Sequence, residues 1–302
     1  MYARTGIISE MNFKRIFLTV FLALGVSACA SFGTSNTPTP ELPTSTPEPP
    51  TATPPPSAAI VNDEYITIAE FEAELARFQT AIAMQGLSLP DEEASQMVLE
   101  DLIAQVLLSQ AAREANFNIT ESDLQSRIEA LAAELGGADA LSAWMSARGY
   151  DEASFRIALK RSVEAAWMRD KIIADVPTEM EQIQLRQILT YNEADAQSAL
   201  NELNAGADFD ELAALYDPVT RGELGWIPPG YLLDANADEA VFDLMAGEYS
   251  GIVATEAGYH IFKAADRKVH PLSPDALLTM RELALKTWLA ERRANSDIVL
   301  AP

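Results

Sequence analysis

Nine of the chain's 17 prolines fall between Pro38 and Pro56, in a run made almost wholly of Thr, Pro, Ser and Glu. Such a stretch has too little apolar surface to bury and too many fixed φ angles for a helix or a sheet. It is expected to be an extended, polyproline-leaning spacer. Any core must therefore be built from residues beyond the spacer. From Ala59 onward the composition turns globular, and enough chain remains for a sizeable core and two compact domains.

The charge balance narrows the partners. The chain carries 21 Lys+Arg against 45 Asp+Glu, a formal charge of −24. Phosphate binding needs clusters of Lys and Arg to release counterions, so no nucleic-acid partner is expected. One Cys and two His exclude a disulfide framework, the usual Cys/His zinc sites and a Cys-His nucleophile pair. No metal and no cofactor are expected.

Residues 11–29 read MNFKRIFLTVFLALGVSAC, with Lys14 and Arg15 ahead of an apolar run that ends in Ser27 and Ala28. That is the order of a secretory signal peptide, and the apolar run is too short to span a bilayer. Val26-Ser27-Ala28-Cys29 resembles the lipobox of bacterial lipoproteins, which implies a lipidated Cys29 as the first mature residue. Met11 is a more natural start than Met1, because residues 1–10 add no signal character. Removing residues 1–28 takes away Arg4, Lys14, Arg15 and Glu10, leaving 18 cations against 44 anions, a net −26. At roughly 3.1 Å per residue the spacer can hold the folded part up to about 90 Å from the lipid. An acidic body on such a stalk stands off an anionic membrane surface.

The folded part divides by periodicity. Ala58-Ala59-Ile60-Val61, the turn pair Asn62-Asp63 and Tyr65-Ile66-Thr67-Ile68 read as a short hairpin or strand pair. Helical spacing is present over 96–115, then after the cap Thr120 until Gly136-Gly137, then after Asp151 until Pro177. Met84, Met97, Trp144 and Trp167 are expected to pack inside these helices, a contribution to a peptide groove being the alternative. From about Met180 the pattern becomes mixed. A strand is expected over 183–191, helices over 194–204 and 209–216, a strand at 223–226, a helix over 238–245, and strands over 252–255 and 259–264. His270 falls in a connecting segment on this reading. Ser273-Pro274-Asp275 starts a last helix, and Ile298-Val299-Leu300 is expected to pair near Ile60-Val61. The mixed unit would then be an insertion in the helical one.

Six ordered segments carry a resemblance. They are Gln184-Leu185-Arg186-Gln187-Ile188-Leu189, Ala207-Asp208-Phe209-Asp210-Glu211-Leu212-Ala213, Gly222-Glu223-Leu224-Gly225-Trp226, Ala240-Val241-Phe242, Gly247-Glu248-Tyr249-Ser250 and Gly258-Tyr259-His260-Ile261. Together they resemble a parvulin-type peptidyl-prolyl isomerase domain, and the flanking helices resemble the chaperone region of SurA-like and PrsA-like exported foldases. The resemblance implies an α+β chain. A mainly helical SurA-like chaperone region carries an inserted parvulin domain of FKBP-like α+β fold. The expected divisions are a signal at 1–28, a linker at 29–58, a helical domain at 59–178, the parvulin domain at 179–269 and a C-terminal helix and strand at 270–302.

The resemblance also implies a site. His260 matches the second of two histidines in the family's polar cluster, while Gln187 stands where the first would be. Asp217 matches a position facing the substrate amide, and Thr255 a hydroxyl that orients His260. Leu232 or Leu233 would supply the aliphatic wall of a proline pocket, with Phe242 and Trp226 beside it and Ala237 where the family has Phe. The implied partners are unfolded, proline-containing secreted polypeptides, met outside the cytoplasm by a protein anchored through lipid to the bacterial cell membrane. A binding-only holdase is the rival reading, favoured by Gln187 and Ala237. A solute-binding lipoprotein would share the anchor and stalk.

Overall fold

The computed structural model describes residues 54–301. The expected signal peptide at 1–28, the lipidation site Cys29 and most of the 29–58 linker lie outside the described residues. Strands β1 (Ser57–Val61) and β2 (Glu64–Thr67) pair antiparallel through Asn62 and Asp63, whose φ angles of 47° and 68° fit a two-residue hairpin turn. Pairing of Ser57 with Thr67 draws Ser57 and Ala58 into β1. Strand β7 (Ile298–Leu300) lies antiparallel to β1, with Val61 opposite Ile298, giving a sheet of order β2-β1-β7.

Helices α1 (Ile68–Met84), α2 (Asp91–Glu114), α3 (Glu121–Leu135), α4 (Ala138–Ser146) and α5 (Glu152–Ala174) come next in the chain. Three of these five starts carry side-chain caps: Thr67, Thr120 and Asp151 accept from backbone amides of the first turn, and Asp151 with Ser154 closes a capping box. One core joins Val61 and Ile66 to Val98, Leu102, Ile103 and Val106 of α2, and a second holds α3 to α5 around Leu124, Leu131, Phe155 and Leu159. Trp144 packs on the second core and Trp167 stacks on Phe117 at 4.6 Å. Met84, expected inside, is 83% exposed, because in the last turn of α1 it is Ile82 that turns inward. Among the described residues, no helix is long and apolar enough to cross a membrane.

The mixed unit contains β3 (Glu179–Thr190), α6 (Glu193–Asn204), α7 (Phe209–Tyr216), β4 (Glu223–Ile227), α8 (Ala235–Phe242), β5 (Tyr249–Thr255) and β6 (Gly258–Pro271). Its antiparallel sheet has the order β4-β3-β6-β5. Residues alternate between two faces. One face buries Ile188 and Ile261 under α6 and α7, and the other buries Ile183, Leu185, Phe262 and Ala264 under α8. Helix α9 (Pro274–Ala294) then returns to the helical part, where Ala284, Leu285, Trp288 and Leu289 pack against Leu108, Ala165 and Ile172. Chain order and topology thus give an α+β molecule with the sheet unit inserted between helical elements.

Two expectations are corrected. Strand β6 runs to Pro271 rather than stopping near Ala264, so His270 is a strand residue opposite Met180 and not part of a connecting segment. The helix expected over 238–245 begins earlier, because Asp234 caps it by accepting from the Ala237 amide (2.9 Å).

Candidate functional site

His260 sits on β6, opposite Leu189 of β3 and Val253 of β5, on the face covered by α8. It is 8% exposed, and its ring lies nearly parallel to that of Phe262 at 5.1 Å. Two side chains take its nitrogens. Nδ1 is 2.8 Å from Gln187 Oε1, and Nε2 is 2.8 Å from Thr255 Oγ1. Gln187 lies opposite Phe262, so its reach to His260 is a diagonal cross-strand contact.

This pattern assigns the tautomer. An amide oxygen only accepts, so Nδ1 carries the ring hydrogen and donates it to Gln187. Thr255 Oγ1 accepts from the Ala257 amide (3.1 Å) and can donate its own hydrogen to Nε2 of a neutral ring. In that state the imidazole has one donor and one acceptor committed. Burial pushes the His260 pKa below its ordinary value, against the opposing charge of Asp234.

The 217–222 loop is pressed onto β3 beside this cluster. Gln187 N–H donates to Gly222 O (2.8 Å), and Gly222 has a φ of 72°. A Cβ there would stand 2.1 Å from the Gln187 carbonyl oxygen, so only glycine permits the approach. Asp217 organises the loop. Its carboxylate accepts from the amides of Val219 and Thr220 (3.0 Å each) and from the Thr220 hydroxyl, and these bonds hold its pKa below the usual carboxylate range. Its oxygens serve the turn rather than His260.

The apolar side of the site is a wall on the same face. Leu232 and Tyr231 are half-buried against the cluster that contains Phe262, as is Val253. Leu233 is 98% exposed and turns away. Ala237 is 3% exposed inside the cluster, under α8, and Phe242 packs half-buried on it. Trp226 lies on the opposite face, because its neighbour Ile227 is the residue that enters the α8 cluster. The Trp226 ring stacks on His270 at 4.6 Å, with Lys268 Nζ 4.7 Å from its centre. The structure thus brings His260, Gln187, Thr255 and Leu232 to one face, seats Asp217 in the adjoining loop, and separates Leu233 and Trp226 from them. Cys29 lies outside the described residues.

Sequence reasoning missed Phe262, Asp234 and Asp238. Alternation from His260 along β6 would have found Phe262. The capping signal of Asp234 was legible four residues ahead of the expected helix start. Asp238 accepts from the amides of Gly230 (3.0 and 2.9 Å) and Leu232 (3.3 Å) and so ties the wall to α8, which no local pattern announces. Chemically, a fixed polar cluster with no free ring nitrogen beside an apolar wall is suited to gripping and orienting an amide rather than attacking it.

A family model described as "SurA-like N-terminal domain" matches residues 8–168, and one described as "PPIC-type PPIASE domain" matches residues 181–266. The foldase protein PrsA of Geobacillus kaustophilus is 28% identical over 186 residues, covering 59% of this chain and 64% of that one. The chaperone SurA of Alcanivorax borkumensis is 24% identical over 250 residues, covering 70% of this chain and 56% of that one. The chain therefore spans less than two thirds of the length of these relatives. A crystal structure of a peptidylprolyl isomerase (PrsA) from Bacillus cereus matches at 22% identity with a TM-score of 0.41, over 77% of this chain and 83% of that one.

Proposed function

We propose, since this chain belongs to the SurA-like N-terminal domain family and carries a PPIC-type PPIase domain, that it is an exported foldase which isomerises Xaa-Pro bonds in unfolded secreted polypeptides. In this reading residues 59–178 with 270–302 form the client-binding helical part and 179–269 the isomerase. Cys29 anchors the protein by lipid to the outer side of the bacterial cell membrane. The observation that carries the reading is the chain of bonds from Thr255 through His260 to Gln187 beside the Leu232 and Phe262 wall.

Rotation about a prolyl amide must cross a barrier of roughly 18–20 kcal/mol set by amide resonance. A pocket lowers it by favouring the twisted amide over the planar one, with no covalent step. Leu232 and Val253, half-buried over the core residue Phe262, would hold the pyrrolidine ring by apolar contact. The neutral His260 cluster would supply fixed dipoles to the rotating amide, preorganised because both ring nitrogens are already bonded. The 217–222 loop, centred on Asp217, would keep Gln187 in register. Arg221 is a single cation in that loop, too little for a phosphate-gripping cluster, so unphosphorylated substrates are expected.

A binding-only holdase is the second reading, and Gln187 in place of a second imidazole supports it, since an amide cannot shift its charge or tautomer. A prolyl isomerisation assay on an unphosphorylated peptide separates the two, comparing the mature chain with His260→Ala. Acceleration that falls at least tenfold in the variant is expected. No acceleration by the wild type, together with suppressed aggregation of an unfolded client, would leave the holdase.

A further inference from the structure

We propose that helix α9 completes the proline pocket, with Leu283 a positioning residue that sets the Leu232 wall through Gly230. This rests on the isomerase reading of the site. The wall is preceded by a tight turn, Pro228-Pro229-Gly230-Tyr231, in which Tyr231 N–H donates to Pro228 O (3.2 Å). Gly230 has a φ of 78°, and proline then glycine at the two central positions is the signature of a type II turn. The turn is held from two sides. On one, the Asp238 carboxylate accepts from the amides of Gly230 and Leu232. On the other, Gly230 lies against α9 so closely that a Cβ would stand 2.7 Å from Leu283 Cδ2.

Helix α9 is not free to yield. Ala284, Leu285, Trp288 and Leu289 lock it onto Leu108, Ala165 and Ile172 of the helical core. Leu283 is 38% exposed and belongs to none of these clusters, and its Cδ2 is the atom that a Cβ at Gly230 would meet. Leu232 lies two residues beyond Gly230 and is tied to the same Asp238 carboxylate. Loss of the Leu283 contact frees the turn on one side and lets the wall move relative to Phe262. Displacements near 1 Å at such sites are enough to change function severalfold. The grip on proline therefore depends on how α9 sits in the client-binding part.

The test uses the full mature chain with Leu283→Ala, Leu283→Met, Gly230→Ala and the Gly230→Ala/Leu283→Ala pair. The readouts are the methyl resonances of Leu232, the KM and kcat for a proline peptide, and thermal unfolding. Leu283→Ala is expected to shift the Leu232 methyls and raise KM about fivefold with kcat and the unfolding temperature nearly unchanged, the signature of lost uniform binding. Leu283→Met restores both. Gly230→Ala raises KM as well, and the pair recovers part of that loss, since removing Cδ2 relieves the clash but not the strain at positive φ. Unmoved Leu232 methyls and an unchanged KM in Leu283→Ala would overturn the proposal. A wild type that accelerates no peptide would defeat the isomerase reading instead, and the Leu232 methyls would then decide the inference alone.

Discussion

His260 has one hydrogen to give and one lone pair to fill, and Gln187 and Thr255 take them at 2.8 Å each. A protonated Nε2 could still donate to the second lone pair of the Thr255 hydroxyl, so the bonds accept either state and burial is what favours the neutral ring. Because the folded pKa lies below the unfolded value near 6.5, the unfolded chain binds more protons between the two. Stability from this group is complete above about pH 6.5 and is lost as pH falls through the folded pKa. Isomerase activity is expected to follow the same limb, flat at neutral pH and falling in acid. Thr255→Val leaves the ring buried, so the His260 titration followed by NMR should stay below 6.5 and the acid limb should stay with it. A titration that moves up to 6.5 in that variant would show that the Thr255 bond, rather than burial, holds the pKa down.

At the scale of elements, α1 and α2 meet around an acidic pair. Burial raises the pKa of Asp101 on α2 to about 6, against the lowering effect of the bond from Gln105 Nε2 (2.7 Å), and the Glu74 charge on α1 adds to the rise. The native state here binds more protons than the unfolded chain between about 3.8 and 6, so stability falls as pH rises through that window. Asp101→Asn keeps the acceptor for Gln105 and removes the charge. It should stabilise the chain by about 1–2 kcal/mol at pH 7 and by little below pH 4, as read from urea unfolding at the two pH values. Capped helices such as α3, α5 and α9 were legible because Thr120, Asp151 and Ser273 announce their starts. The second half of β6 was not. After Ala264 the register against β3 shifts between Leu185 and Gln184, which resets the facing of the residues beyond it. The polar run Asp266-Arg267-Lys268 then carries no alternation to read. Nor does sequence order tell which face of β4 meets His260, and Trp226 falls on the other one. Gln187 and Thr255 were legible as partners of His260 through motif order, whereas Asp238 and Leu283 act across elements and leave no local trace.

At the scale of the molecule, the chain closes on itself twice. Strand β7 pairs with β1, and α9 packs on α2 and α5, so the sheet unit is held at both ends of its insertion by one helical core. Charge joins the same parts. Arg113 of α2 binds Glu164 of α5 (2.7 Å) and Glu64 of β2 (2.6 Å), and Arg161 of α5 binds Glu64 and Glu70. Glu164 is fully buried, and leaving such a charge unpaired costs several kcal/mol. On the proposed function, a helical part built in this way and joined to the Leu232 wall through α9 would place client binding and isomerisation in one mechanical unit. The most direct measurement is the refolding of an unfolded client whose slow phase is limited by a prolyl bond, monitored with the mature chain and with His260→Ala. The wild type is expected to shorten the slow phase, while the variant loses that effect yet still suppresses client aggregation. A slow phase unchanged by the wild type, or shortened equally by His260→Ala, would contradict a foldase that works through the His260 cluster.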